Sequence, residues 1–116
     1  MKERDISEKA VEFILSRKTD ELGKLTEEKI AQSIGTKISN LSCSFKVDQK
    51  ITIPDFILRE KLYRAYLILR EGSKKTIAEL SDELGFVKVE DFNIEFENYF
   101  AITPKNYKDL RRNLCA

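Results

Sequence analysis

The sequence predicts an all-α fold of two tandem helix-turn-helix units joined by one long linker helix, about seven helices in all. Three observations carry that expectation. The chain of 116 residues holds only 2 Pro and 4 Gly and is rich in Glu, Lys, Leu and Ile, which favour helix over strand. A segment of supersecondary size occurs twice along it. Between the two copies lies the longest stretch of helical periodicity.

The repeat is legible residue by residue. Ile30-Ala31-Gln32-Ser33-Ile34-Gly35 aligns with Leu80-Ser81-Asp82-Glu83-Leu84-Gly85 at an offset of fifty. Past the glycine, Ile38, Leu41 and Phe45 align with Val89, Phe92 and Phe96 at fifty-one, so the second turn is one residue longer. Ile51-Thr52 then pairs with Ile102-Thr103, and Phe56 with Tyr107.

Taken in order, Val11, Phe13, Ile14 and Leu22 suggest a leading helix from about Ser7 to Lys18. Thr26 and Thr76 are natural N-caps for the first helix of each unit, whose apolar positions are Ile30 with Ile34, and Ile77, Leu80 and Leu84. Gly35 and Gly85 follow the last apolar residue, where a left-handed cap favours a residue without Cβ. Ala31 and Ser81 are small where the paired helices must cross closely. The second helix of each unit is expected to bury Ile38, Leu41 and Phe45, or Val89, Phe92 and Phe96, at spacings of three and four.

Pro54 to Arg70 forms the linker helix, with Pro54 in the first turn and Gly72-Ser73 beyond its end. Pro104 opens a short last helix carrying Tyr107 and Leu110. The expected organisation is therefore residues 1–53 as leading helix and first unit, 54–71 as linker, and 72–116 as second unit. Phe92, Phe96, Tyr99 and Phe100 read as core.

Several function classes recede on composition. No apolar run approaches the roughly 18 residues that span a bilayer, and Met1-Lys2-Glu3-Arg4-Asp5 is charged with no apolar stretch behind it. No membrane partner is expected. Cys43 and Cys115 are an isolated pair, so neither a disulfide framework nor a zinc site is expected, and a reducing cytoplasm is the simple setting. The chain has 0 His and no nucleophile–base pair, glycine-rich phosphate loop or ligand cluster, so neither enzyme nor cofactor is expected.

The segments Leu25-Thr26-x-x-x-Ile30-Ala31, Leu41-x-x-x-Phe45-Lys46, and Ala65 with Leu69 come in a definite order. They are followed by Ile77-Ala78-Glu79-Leu80-Ser81-Asp82-Glu83-Leu84-Gly85-Phe86, Phe92-x-x-x-Phe96 and Thr103-Pro104-x-x-Tyr107-Lys108. From about Lys24 to Arg112 this order and spacing resembles the C-terminal DNA-binding domain of the AraC/XylS family of bacterial transcription regulators. The resemblance implies two helix-turn-helix subdomains whose recognition helices address successive major grooves. A linker of seventeen residues, at 1.5 Å each, spans roughly 25 Å, enough to hold them about one DNA turn apart. It also implies double-stranded DNA as partner, with a sensor or receiver module of a longer regulator, or RNA polymerase, as further partners. The chain departs from the family at Lys61, where arginine is usual. It departs again at Lys50 and Ala101, where glycine is usual, and at Glu97, where a basic residue is frequent; Lys46 keeps the basic residue in the first unit.

Charge separates the two units. Residues 51–76 carry six basic and three acidic side chains, while residues 77–100 carry one basic and seven acidic. Glu90, Asp91 and Glu97 on the second recognition helix repel phosphate, although a carboxylate can accept a hydrogen bond from cytosine. On the first, Ser39, Ser42, Cys43 and Lys46 form the stripe opposite the buried positions, with Asn40 at its flank. Ser and Asn suit base edges; Lys37 and Lys46 suit phosphate. Thr36, Thr52 and Thr103 are expected to cap helices whose first amides can hold a phosphate oxygen. Lys88 and Lys105 complete the candidate DNA-contacting set in the second unit. Two functions stay open: sequence-specific DNA binding mainly through the first unit, or a degenerate scaffold that serves protein interaction or dimerisation.

Overall fold

The computed structural model describes residues 3–115, with side chains from Asp5 to Leu110. Eight helices and no strand occur among them: α1 (Glu3–Leu15), α2 (Thr19–Leu22), α3 (Glu27–Ile34), α4 (Ile38–Gln49), α5 (Ile53–Arg70), α6 (Ile77–Glu83), α7 (Val89–Phe100) and α8 (Pro104–Cys115). They divide into two compact units, Met1–Glu60 and Lys61–Ala116, with the boundary inside α5.

The helix beyond the expected seven is α2. The leading helix stops at Leu15 rather than near Lys18, and side chains take the Phe13 carbonyl in its last turn. Ser16 Oγ donates to the Phe13 carbonyl at 2.9 Å and Arg17 Nε donates to the same oxygen at 3.2 Å. The chain then restarts for one turn, with the Lys18 amide donating to Glu21 Oε1 at 3.0 Å and Leu22 fully buried.

Both units turn on the same hydrogen bonds. The Thr26 and Thr76 hydroxyls accept from the amides of Lys29 and Glu79, at 3.2 and 3.1 Å, and so cap α3 and α6. After α3, Gly35 takes φ +77° and the Thr36 amide donates back five residues to Ala31 O at 3.0 Å. After α6, Gly85 takes φ +86° and the Phe86 amide donates to Ser81 O at 3.1 Å. The α5 stop at Gly72 repeats the device, with Ser73 donating to Ile68 O. Ala31 and Ser81 are buried, as their size at the crossing requires.

The far ends of α4 and α7 also close in the left-handed region, without glycine. Lys50 has φ +64° and Ala101 φ +63°. Their amides bond back to Lys46 O and Glu97 O. An L-residue there carries a steric cost of roughly 1–2 kcal/mol, which the turn into α5 and α8 imposes on both. These are the two positions at which the family resemblance leads one to expect glycine.

The first core is mainly aliphatic. Ile6, Ala10 and Ile14 of α1 meet Leu22, Ile30, Ala31, Leu41, Phe45, Ile53, Phe56 and Ile57, and the Phe45 and Phe56 rings meet edge-on at 5.3 Å. In the second unit Leu62, Ala65, Leu69, Leu80 and Leu84 are buried beside a relay of rings. Phe86 touches Phe92, Phe92 touches Phe96, Phe96 touches Phe100, and Phe100 stacks on Tyr66, which meets Tyr107. Gln49, at the place of Phe100 in the repeat, instead donates to Ser7 Oγ of α1 at 2.9 Å.

Two expected core positions are corrected. Ile38 is 42% exposed, because it is the first residue of α4 and no neighbouring element covers that turn; the buried set on α4 is Leu41, Ser44 and Phe45. Tyr99 is 52% exposed and packs only the edge of its ring against Phe100.

Two stability outcomes follow. Lys50→Gly and Ala101→Gly should each raise stability by about 1 kcal/mol, and Gly35→Ala should lower it by a similar amount through φ alone, since a Cβ at Gly35 meets nothing within 4 Å. Urea denaturation reads all three, and a loss in both glycine variants would mean the strain is absent. Phe45→Ala and Phe96→Ala, each removing a fully buried ring, should cost roughly 3–5 kcal/mol in the same assay.

Candidate nucleic-acid interface

The outward face of α4 gathers the largest group of the candidate contacts. Lys37, Ser39, Asn40, Cys43 and Lys46 are all exposed, joined by the exposed apolar Ile38 and Val47. Ser39, Cys43 and Lys46 fall at helical spacing and share one stripe, with Asn40 beside them. Cys43 is a free thiol; the Cys115 side chain lies outside the described residues.

The start of α4 differs from expectation in one respect. Lys37, not Thr36, is the N-cap: it is extended, at φ −80° and ψ 149°, and its carbonyl accepts from the Leu41 amide at 2.9 Å. The Thr36 amide is committed to the glycine turn, which leaves that residue one place short of the helix. Lysine offers no side-chain acceptor, so α4 begins without a side-chain cap, and its first turn holds no acidic residue. The positive end of the helix dipole and its free amides therefore stand beside the Lys37 ammonium.

Ser42 is drawn inward. It is half-buried and its hydroxyl donates to Glu27 Oε2 of α3 at 2.9 Å. This bond ties the two helices of the unit together and leaves Ser42 only acceptor capacity. The Glu27 partnership spans fifteen residues, and no local pattern signals it.

The remaining candidates sit at helix starts. The half-buried Thr52 caps α5 by accepting from the Asp55 amide at 3.3 Å. Thr103 caps α8 through the Asn106 amide at 3.2 Å. Lys105, in the first turn of α8, is exposed. Lys88 is the exposed N-cap of α7, the counterpart of Lys37, and again gives no side-chain cap. There the likeness ends: Glu90 and Asp91 occupy the first turn of α7 and offset the dipole with their own charge.

Lys61, at the family's arginine position, is half-buried with Nζ 5.6 Å from the centroid of the Phe86 ring. Burial holds its pKa below the ordinary lysine value. Among the described residues there is no cluster of metal-ligating side chains, and no helix is long and apolar enough to cross a membrane.

With this geometry in place the chain can be set beside known proteins. No family model matches it. It is 31% identical over 85 residues to the Msm operon regulatory protein of Streptococcus mutans; the match covers 72% of this chain and 30% of that protein, so the chain spans under a third of its relative. Among solved structures, the C-terminal domain of the two-component response regulator yesN from Fusobacterium nucleatum matches at TM-score 0.72 and 26% identity, covering 85% of this chain and 93% of that one. An AraC-type transcriptional regulator from Chromobacterium violaceum matches at TM-score 0.78 and 23% identity, over 93% of both chains. The C-terminal domain of AraT, a response regulator from Geobacillus stearothermophilus, gives 0.78 at 19% identity, covering 90% and 84%. The fold expected from the sequence holds in three dimensions: the arrangement of the helices is similar to that of these solved regulator domains.

Lys61 supplies a pH dependence. The folded state disfavours its proton, so the unfolded chain binds that proton more tightly. Stability should rise as pH climbs toward the ordinary lysine value of 10.5. Thermal melts of wild type and Lys61→Met at pH 7.5 and pH 10 should show a wild-type deficit at the lower pH that narrows at the higher. A difference independent of pH would exclude the titration of Lys61 as its source.

Proposed function

We propose that this chain, an AraC-type double helix-turn-helix domain in its fold, binds double-stranded DNA as part of a bacterial transcription regulator, and that the first unit does most of the work. One observation supports that division above the others. The uncapped, acid-free start of α4 is an anion site in waiting, whereas the start of α7 already faces Glu90 and Asp91. In this reading the α4 amides and Lys37 hold a phosphate at one end of the helix, and Lys46 meets another at its far end. Ser39 and Asn40, whose side chains make no hydrogen bond to any described residue, face base edges in this reading: Asn40 can pair bidentately with adenine, and Ser39 can donate or accept. Cys43 lies between them as a small side chain that allows close approach. No arginine stands on this stripe, so selectivity rests on few contacts and should be modest.

In the second unit Thr103 and Lys105 at the start of α8 offer a further phosphate contact, and Lys88 another. These position the domain without reading sequence. The regulators among its structural neighbours carry comparable domains, and a sensor or receiver module in a longer protein is the natural source of control. Catalysis forms no part of this reading.

Fluorescence anisotropy on a promoter fragment at two salt concentrations tests it. Lys46→Ala should weaken binding to every sequence and lower the salt slope by about one, as loss of one phosphate contact does. Asn40→Ala should change preference among sites, at about 1–3 kcal/mol for the favoured one. Glu90→Gln with Glu97→Gln should leave binding unchanged or tighter. A large, sequence-selective loss in that double variant would move base reading to α7, and no wild-type binding at low salt would end the proposal.

A further inference from the structure

The outward face of α7 occupies the place in its unit that the α4 face occupies in the other, and it has a different chemistry. At an offset of fifty-one, Glu90, Asp91, Ile94 and Glu97 stand where Ser39, Asn40, Cys43 and Lys46 stand on α4. All four are exposed. Ile94 is 56% exposed, and Val87, in the turn that leads into the helix, is 96% exposed. The side-chain carboxylates of Glu90, Asp91 and Glu97 make no hydrogen bond or ion pair with any described residue. Two branched apolar side chains thus stand in water with unpaired carboxylates around them.

Glu90 and Asp91 complement the dipole of α7, but the apolar pair and Glu97, toward the negative end of the helix, do nothing for the isolated domain. Exposed Val and Ile forgo burial worth roughly 25 cal/mol per Å² of apolar surface, and like charges on one short helix repel. The fold does not require them, because the second core is closed by Phe92 and Phe96 on the opposite side of α7. DNA cannot satisfy the face either, since its phosphates meet carboxylates. A surface of opposite character satisfies both parts at once: aliphatic side chains cover Val87 and Ile94, while Lys or Arg residues pair with Glu90, Asp91 and Glu97.

We propose that the Val87–Glu97 face of the second unit docks a basic, amphipathic helical segment of another protein. The apolar pair is the anchor, and the carboxylates set the orientation and the rate of encounter. The inference stands apart from the DNA reading of the first unit, because it concerns residues to which that reading gives no contact. A partner held there and a DNA duplex on α4 would use different residues.

The test uses the 116-residue chain, isotope-labelled for NMR, and an eighteen-residue peptide of leucine and lysine patterned as an amphipathic helix. A scrambled peptide of the same composition is the control. The expected result is saturable binding with shift changes centred on residues 87–98 and about tenfold weaker binding of the scrambled peptide. Val87→Ser with Ile94→Ser should weaken the patterned peptide about tenfold while helicity by circular dichroism is retained. Glu90→Gln with Glu97→Gln should also weaken it and flatten its salt dependence. Shift changes centred elsewhere, equal binding of the scrambled peptide, or wild-type binding by both variants would overturn the proposal. So would a chain dimer in sedimentation that the serine pair abolishes, which would name a second copy as the occupant. Shift changes centred on Glu90, Ile94 and Glu97 produced by duplex DNA would overturn it in favour of nucleic acid.

Discussion

Each unit depends on one event, the reversal of the chain just past its first helix. At Gly35 and Gly85 the backbone enters the left-handed region, and the next amide reaches back to the carbonyl of Ala31 or Ser81. After α6 that bond pairs the Ser81 carbonyl, which the helix end would otherwise leave orphaned, and after α3 it shares the Ala31 oxygen with the Gly35 amide. It also fixes the exit direction, so the second helix must cross the first at the residue whose carbonyl is engaged. A large side chain at Ala31 or Ser81 would hold the helices apart. Phe45 and Phe92 then find their places because the turn has already aimed their helices.

Identical scaffolding leaves the outward faces free to diverge, and they have. Inside, Leu41 and Phe45 match Phe92 and Phe96, and both sets are fully buried. Outside, the matched positions exchange hydroxyl, amide and ammonium groups for carboxylates. The divergence extends to the helix ends. Glu90 and Asp91 complement the dipole of α7 and stabilise that helix in isolation; α4 lacks this support and keeps its amides open. A helix meant to hold a phosphate at its start cannot also carry acids there. The composition of a first turn therefore distinguishes a helix stabilised by its own residues from one that leaves the same amides to a ligand.

Most of the fold was legible because its determinants are local. Thr26, Thr76, Gly35 and Gly85 act within five residues of themselves, and the repeat checks each against its copy. What escaped was set by the ends of elements or by distance. Ile38 was assigned inward on periodicity, but a first-turn residue is covered only if another element reaches it. Thr36 looked like a cap by type; its amide was already spent on the glycine turn, and the cap fell to a lysine. Periodicity carries the leading helix past its end at Leu15, because nothing local announces that the Ser16 and Arg17 side chains take the Phe13 carbonyl. Ser42 faces Glu27 across fifteen residues, a pairing that only the packing of α3 on α4 creates. Of the candidate contacts, the exposed stripe of α4 was readable as a stripe, while the commitment of Ser42 within it was not.

The net charge of +1 says little about what either face will attract. At physiological salt the field of an exposed charge decays over about 8 Å, less than the 18 Å that twelve residues of helix extend. A ligand approaching α4 responds to Lys37 and Lys46 and is nearly blind to carboxylates farther off than that. A ligand on α7 responds to Glu90, Asp91 and Glu97, with Lys88 as the basic residue at the edge. The whole-chain sum averages over both faces and describes neither. A balance near neutrality is then the expected result of placing a cationic face and an anionic face on one small chain, and it counts against neither.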